Sequence, residues 1–211
     1  MVTLTIDDQR VSVEPGTSVL GAAQRLGIRV PVLCHVPGIE PAASCFVCAV
    51  QIEGRRNLSP ACATPVSEGM VVSTDSADVR AARKTALELL LSDHAGDCAA
   101  VSPLVRSLVE EYQPDVSRFA GERRSFPRDV SHPEVIYDPG KCILCDACVQ
   151  IAAAAGEPLG LAVIGRGFHV AVAVPFGKPL ADGLRKVAQR CAEACPTGAL
   201  ALRSTGAGEK P

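Results

Sequence analysis

The chain has 211 residues, of which 47% are hydrophobic and only 3% aromatic, with ten cysteines and a formal charge of −2. This composition excludes a disordered chain, and the scattered lysines and arginines exclude the dense basic face that nucleic-acid binding requires. At this length we expect two modest domains, and because a core without tryptophan buries little area per residue, we expect disulfides or metal thiolates to stabilise them.

The N-terminal segment MVTLTIDDQR leads into no apolar stretch, so we expect no secretion signal. Later apolar stretches, at residues 159–165 and 170–176, are far shorter than the roughly 20 residues of a membrane span. We therefore predict a soluble, cytoplasmic protein with reduced cysteines, which could reach a membrane complex only through its partners.

The first 75 residues have the pattern of a small mixed sheet. Residues 2–6 and 10–14 alternate with period two around a turn at Asp7-Asp8, which predicts a hairpin. A helix follows Pro15-Gly16, with Thr17 or Ser18 as its cap, and ends at Gly27. After a Pro- and Gly-rich loop over 31–44, the remaining strands are predicted at 48–54 and 70–74.

Residues 77–92 give the clearest helix prediction. Its apolar stripe is predicted to be Val79, Ala82, Ala86, Leu89 and Leu90. A second helix is expected over 101–113, with Pro103 in its first turn. The Pro-rich stretch 113–139 has no sustained period and is predicted to be a linker.

The C-terminal part is predicted to begin with a short helix that bears cysteines. A hairpin around Arg166 and Pro175, a helix near 180–193 and a tail follow. The predicted domain ranges are 1–76, 77–132, 133–203 and 204–211.

The first cysteine set consists of Cys34, Cys45, Cys48 and Cys62. A C-x2-C turn with one further cysteine on each flank can place four thiolates around a 2Fe-2S cluster. The small residues 42–44 would let the backbone donate N–H groups to the sulfurs. Zinc is the alternative, but zinc ribbons usually have two C-x2-C knuckles and only one is present here.

The second cysteine set consists of Cys142, Cys145, Cys148 and Cys195. The first three form C-x2-C-x2-C, and the fourth precedes Pro196. In bacterial ferredoxins the cysteine before proline binds the cluster of the other motif, so this set predicts one 4Fe-4S cluster. Zinc or a disulfide is the weaker alternative.

A second cubane is not expected from this region. Ala152 occupies the position of a fourth cysteine in the first run, and Arg185 and Ala188 stand where cysteines would be needed upstream of Cys191. Cys191 is therefore predicted to be a buried free thiol.

Together these motifs resemble the N-terminal iron-sulfur region of the G subunit of NADH-quinone oxidoreductase (complex I). They also resemble the small diaphorase subunit of NAD-reducing hydrogenases and the matching part of NAD-linked formate dehydrogenases. The matching pieces, in the family's order, are PVLCHVPGIEPAASCFVCAVQIEG, Cys62, LELLLSDHAGDC, KCILCDACV, IGRGF and CPTGAL. The resemblance implies an α+β fold: an N-terminal β-grasp 2Fe-2S ferredoxin domain, a helical linker and a C-terminal ferredoxin-like 4Fe-4S domain.

The family has a further cluster between these motifs, bound by one histidine and three cysteines. His94 and Cys98 match its first two ligands, but Val101 and Ser107 stand at the next two positions. The resemblance therefore implies that this cluster is missing, and that His94 and Cys98 are helix-end residues or ligands of a zinc shared with a partner. The long molybdopterin-type region of larger relatives is not present, so we expect a stand-alone small subunit.

The leading hypothesis is a non-catalytic subunit that relays single electrons from a flavin/NAD(P)H-binding subunit to a downstream redox subunit. No G-x-G-x-x-G after a strand, P-loop or catalytic triad is visible, so NAD(P)H and flavin are expected on the partner. The alternatives are a free two-cluster ferredoxin shuttle and an iron-sulfur redox sensor. A shuttle would be strongly acidic, and a sensor would carry an effector module.

Overall fold

The computed structural model describes residues 1–92, 94, 102–119 and 127–203, apart from the side chain of Phe168. By their contacts, the described residues form two compact units. Unit 1 is drawn from Met1–Ser92 and Ser107–Ala120, and unit 2 from Asp93–Arg106 and Gly121–Pro211. Each unit combines strands and helices, so the chain is a mixed α/β protein.

Unit 1 contains a five-stranded sheet. Its strands and helices are β1 (Val2–Ile6), β2 (Gln9–Val13), α1 (Val19–Arg25), β3 (Ala49–Ile52), β4 (Ser59–Pro60), β5 (Val71–Ser73) and α2 (Ala77–Leu91). The strand order is β2-β1-β5-β3-β4, with β1 and β5 parallel and the other neighbours antiparallel. The two-residue strand β4 was not predicted, because two residues show no period.

The first hairpin and first helix confirm the sequence predictions. Val2 pairs with Val13 and Ile6 with Gln9 across a tight turn in which Asp7 and Asp8 both have positive φ. Such a turn matches the twist of the two strands, and Asp is among the residues that tolerate it. Ser18 is the cap of α1, and its hydroxyl accepts a hydrogen bond from the N–H of Gly21 at 3.1 Å.

The core of unit 1 consists mainly of aliphatic side chains from the sheet and α1. Its members from β1, β2, α1, β3 and β5 are Leu4, Ile6, Val13, Val19, Leu20, Ala22, Ala23, Val50, Ile52 and Val72. Cys48 and Cys62 belong to the same buried cluster. The hydrophobic core itself therefore holds two of the predicted ligands.

Helix α2 confirms the predicted bounds to within one residue, but its buried face was predicted only in part, with Val79 and Ala86 correct. The buried residues are Val79, Arg83, Ala86, Leu87, Glu88 and Leu91, whereas Leu89 is 54% exposed. Two polar side chains lie on the buried face because each has a partner there. Arg83 donates to the carbonyl of Ala49, and Glu88 pairs with Arg118 at 2.9 Å.

Helix α3 (Pro103–Tyr112) confirms the second predicted helix, and the division between the units falls inside it. Unit 2 then contains β6 (Val135–Tyr137), α4 (Ala147–Ala154), β7 (Ala162–Ile164), β8 (Ala171–Ala173), α5 (Leu180–Gly183), α6 (Ala188–Ala194) and β9 (Leu200–Leu202). β6 pairs with β9, and β7 with β8, both antiparallel.

Two predictions for unit 2 need correction. β6 lies inside the stretch 113–139, predicted as a linker, because its partner β9 lies far along the chain, with Val135 opposite Leu202. The helix predicted near 180–193 is two helices. The backbone N–H groups of Lys186 and Val187 donate to the Glu157 carboxylate instead of to helix carbonyls, which separates α5 from α6.

Within the described part of the chain, no helix has both the length and the apolar character needed to cross a membrane. The predicted tail at 204–211 lies outside the described residues.

Candidate cluster-binding sites

The first cysteine set lies entirely within unit 1. Cys34 follows α1 in the long loop, Cys45 and Cys48 lie in the turn that leads into β3, and Cys62 follows β4; all four are buried. The N–H of Ala61 donates to the carbonyl of Cys48 at 3.0 Å, which places the β4 turn beside the C-x2-C turn.

The C-x2-C turn is shaped by unusual backbone conformations. Ala43 (φ 53°) and Phe46 (φ 56°) both adopt the left-handed region, which non-glycine residues rarely occupy. This conformation costs roughly 1–2 kcal/mol per residue, so it persists where surrounding structure enforces it. The left-handed conformation bends the turn around the cysteine sulfurs.

The sulfur atoms of the first set converge. The Sγ atoms of Cys48 and Cys62 are 3.4 Å apart. Hydrogen bonding with the sulfurs of Cys45 and then Cys62 holds the pKa of Cys34 far below its usual range. The four thiols are therefore linked through Cys34 and Cys62 into one contiguous group.

The pKa values divide these thiols into two kinds. Contact with the Cys62 sulfur lowers the pKa of Cys48 to about 7, so Cys34 and Cys48 are the readier thiolates. Hydrogen bonding with Cys34 raises the pKa of both Cys45 and Cys62, with burial adding to each. Because metal ligands must be deprotonated, binding iron would release the remaining protons.

This donor set fits a 2Fe-2S cluster. Two thiolates on one tetrahedral metal with bonds of about 2.3 Å, the length known for zinc thiolates, would lie about 3.8 Å apart. Cys48 and Cys62 are near that separation at 3.4 Å. Among the described residues, no group of three or more His, Cys, Asp or Glu side chains is positioned to hold a single metal ion. A 2Fe-2S cluster does not need such a group, because it divides four thiolates between two irons.

The second cysteine set lies entirely within unit 2. Cys142 and Cys145 precede α4, Cys148 lies in its first turn, and Cys195 directly follows α6. Leu144 and Asp146, which flank Cys145, have positive φ (55° and 68°), so the chain coils around the position that the sulfurs face.

One small, mainly apolar cavity is lined by all four cysteines of this set. Its other lining residues are Tyr137, Ile143, Asp146, Ala147, Val172, Thr197, Ala199 and Leu200. The N–H of Leu144 donates to the Cys142 sulfur and the N–H of Leu200 to the Cys195 sulfur, each at 3.4 Å. Backbone N–H groups of this kind stabilise the thiolate form of a ligand.

One further cysteine of unit 2, Cys191, lies apart from this cavity. Cys191 is fully buried in α6, its sulfur is 3.7 Å from the carbonyl oxygen of Cys148, and it does not line the cavity. Burial raises the pKa of Cys191 to about 12, so it remains a thiol at neutral pH. Both features favour a packing role.

The structure describes only part of the segment that matches the family's further cluster, the one bound by one histidine and three cysteines. His94 is buried, and neither ring nitrogen has a hydrogen-bond partner among the described residues. Burial, with Lys141 nearby, lowers its pKa, which favours the neutral imidazole. Ser107 lies on α3, while Cys98 and Val101 lie outside the described residues.

Two residues beside the second set were not predicted from the sequence. The Thr197 hydroxyl lies 3.8 Å from the Cys195 sulfur, and its place in CPTGAL could have indicated it. Tyr137 lines the same cavity through the pairing of β6 with β9. No local sequence pattern marks it.

Comparison with known protein families identifies the class of the N-terminal domain. Residues 1–77 match the family described as "2Fe-2S iron-sulfur cluster binding domain". The N-terminal part of the chain is therefore a 2Fe-2S ferredoxin-type domain, as predicted.

Longer relatives extend the match across 95% of the chain. It is 41% identical to the HndD subunit of the NADP-reducing hydrogenase of Solidesulfovibrio fructosivorans. It is 37% identical to a G subunit of the NADH-quinone oxidoreductase of Rhizobium meliloti. It spans only 36% and 24% of their lengths.

A solved structure matches the whole chain. A chain of the NAD+-reducing NiFe hydrogenase in its H2-reduced state is 30% identical, with a TM-score of 0.85, over 100% of this chain and 90% of that one. The chain thus belongs to the family of iron-sulfur subunits of NAD(P)H-linked oxidoreductase complexes, which includes the G subunit of NADH-quinone oxidoreductase.

Proposed function

We propose that this chain is a two-cluster electron-transfer subunit that relays single electrons between a flavin/NAD(P)H-binding subunit and a downstream redox subunit. The observation that carries the proposal is that each unit brings together its own four predicted cysteines. We assign a 2Fe-2S cluster to Cys34, Cys45, Cys48 and Cys62, and a 4Fe-4S cluster to Cys142, Cys145, Cys148 and Cys195. Unit 1 would then be a β-grasp domain and unit 2 a ferredoxin-like domain.

The clusters, when bound, would accept and release one electron at a time. The chain's own residues provide the thiolates and their surroundings. In unit 1 the backbone N–H of Cys45 and the Ser44 side chain both lower the pKa of Cys34, and so stabilise its negative charge. Burial keeps water from the sulfurs, which limits reorganisation when charge changes.

Exposed apolar residues support a subunit rather than a free shuttle. Phe176 is 90% exposed and is held in a left-handed conformation (φ 62°), and Val163 and Ile164 of β7 are about half exposed. In unit 1, Leu89 borders a groove that also contains Cys45 and Phe46. Exposed apolar patches often mark surfaces that bind another protein.

The names of the relatives indicate the kind of complex. They are subunits of an NADP-reducing hydrogenase and of NADH-quinone oxidoreductases. We therefore expect partners from an NAD(P)H-linked complex, with no nucleic acid and no direct membrane insertion. No disulfide joins any of the nine described cysteines, including the close pair Cys48 and Cys62, which suits a reducing, cytoplasmic setting.

The proposal is tested by iron and sulfide analysis with EPR on anaerobically purified, dithionite-reduced protein. We expect about six irons per chain and separate 2Fe-2S and 4Fe-4S signals. About ten irons would instead mean that the His94 region also binds a cluster. Zinc without sulfide would overturn the electron-transfer proposal.

A further inference from the structure

Tyr137 presents a buried hydroxyl to the second cysteine set. The side chain lies on β6 and is 7% exposed, and its Oη atom has no well-formed hydrogen bond to any described residue. A buried donor left without an acceptor is costly, so native proteins rarely leave one unsatisfied. We therefore expect this hydroxyl to find its acceptor in the cavity that it borders.

The surroundings of Tyr137 identify that acceptor. The ring lines the cavity formed by Cys142, Cys145, Cys148 and Cys195. The Cys142 sulfur is within hydrogen-bonding reach of the hydroxyl, whereas Cys148 and Cys195 interact with it only through their charge. A ligand thiolate has no proton to give, so a phenol beside it acts as the donor.

The backbone fixes the position of the ring. Tyr137 pairs with Leu200 on one side of β6 and exchanges backbone hydrogen bonds with Asp129 on the other. Leu200 itself donates its N–H to the Cys195 sulfur at 3.4 Å. The same strand pair therefore supplies one hydrogen-bond donor to the Cys195 sulfur. It also holds the Tyr137 side chain in the cavity wall, where it interacts with Cys142.

We propose that Tyr137 donates a hydrogen bond to the Cys142 thiolate of the bound 4Fe-4S cluster and thereby raises its reduction potential. The inference rests on the proposed function, because it requires a cluster on the second cysteine set. A donor to a ligand sulfur stabilises the reduced cluster, which carries one more negative charge, more than the oxidised cluster. Tyr137 is in this sense a tuning residue and not a ligand.

The test is the variant Tyr137→Phe, which removes the hydroxyl and keeps the ring. Midpoint potentials are measured by EPR-monitored titration in which dithionite supplies one electron to each cluster. We expect the 4Fe-4S potential to become more negative and the 2Fe-2S potential to stay unchanged. An unchanged or more positive 4Fe-4S potential would overturn the inference.

The chain offers a matched control, since it has only two tyrosines. Tyr112 lies in unit 1, where its hydroxyl accepts a hydrogen bond from Arg83 at 2.9 Å. Tyr112→Phe should leave the 4Fe-4S potential at its wild-type value. Iron and sulfide content of the wild type is determined first. If the wild type lacks the 4Fe-4S cluster, the proposed function fails, whereas a normal cluster with no shift in Tyr137→Phe rejects this inference alone.

A second measurement covers the case in which Tyr137→Phe does not assemble its cluster. In the Tyr112→Phe background, biosynthetic incorporation of 3,5-difluorotyrosine labels Tyr137 alone. The more acidic fluorophenol is a stronger donor, so the 4Fe-4S potential should become more positive than in unlabelled Tyr112→Phe protein. No change, or a change to a more negative potential, would contradict the proposed hydrogen bond.

Discussion

Arg83 is a charged residue in the interior of unit 1. It is 2% exposed and makes no ion pair among the described residues. Its guanidinium donates from Nη1 to the Tyr112 hydroxyl at 2.9 Å and from Nη2 to the Ala49 carbonyl at 2.8 Å. Because Ala49 directly follows Cys48, Arg83 connects α2 and α3 to the strand beside a predicted ligand.

Replacing Arg83 with alanine should lower the stability of unit 1 substantially. The change leaves the Ala49 carbonyl and the Tyr112 hydroxyl without this donor and opens a cavity, so we expect a loss of about 3–5 kcal/mol in the free energy of unfolding. Denaturant unfolding followed by circular dichroism measures it. Lys84→Ala, on the exposed side of the same helix, is the control and should change stability by less than about 0.5 kcal/mol. A similar small effect for Arg83→Ala would show that its hydrogen bonds contribute little.

At the scale of single elements, α2 shows why a helix can be predicted while its buried face is predicted only in part. The apolar residues permit two neighbouring stripes, one through Leu89 and Leu90 and one through Leu87 and Leu91. A stripe that contains Arg83 and Glu88 looks like a solvent face in the sequence. Their partners Tyr112 and Arg118 lie 29 and 30 residues away, and only the fold reveals them.

Two leucines on α2 provide a direct test of this corrected face. Leu87 has no exposed surface, and Leu89 is 54% exposed. Leu87→Ala should cost about 2–5 kcal/mol, because it removes buried methyl groups and leaves a cavity. Leu89→Ala should change stability by about 0.5 kcal/mol or less. Comparison of the two denaturant midpoints decides the matter, and a larger loss for Leu89→Ala would favour the face predicted from the sequence.

At the scale of the whole molecule, each unit contains one complete set of predicted ligands. The first set lies in Met1–Ser92, and the second lies in Gly121–Pro211. No thiolate needs to be contributed from one unit to the other. Each cluster should therefore assemble when the other is absent.

Cysteine variants test this independence. Cys62→Ser should abolish the 2Fe-2S signal and leave about four irons, whereas Cys145→Ser should abolish the 4Fe-4S signal and leave about two. Iron analysis and EPR on anaerobically purified variants provide the readout. Cys191→Ala is the control, because its sulfur lies outside the cavity, and it should keep the full iron content. Loss of both signals in either serine variant would show that the clusters depend on each other.

The sequence is enough to propose the eight ligand positions, because most of them lie in short runs. C-x2-C and C-x2-C-x2-C runs fix sulfurs within a few residues, and a following proline marks the remote cysteine. The hairpin at Asp7-Asp8, the cap at Ser18 and the bounds of α2 were predictable for the same reason, since each depends on residues close in the chain. The ligand assignment itself stays a prediction until iron is measured.

Tertiary structure alone decided the features that depend on distant residues. The strand β6 forms because β9 pairs with it, and the helix predicted at 180–193 breaks because Glu157 accepts the backbone N–H groups of Lys186 and Val187. The buried hydroxyl of Tyr137 is brought to the second cysteine set by the same strand pairing. The sequence by itself determined which cysteines are the candidate ligands, because short spacings along the chain mark them. The fold determined which groups surround them, because those groups meet only through pairing and packing across the chain.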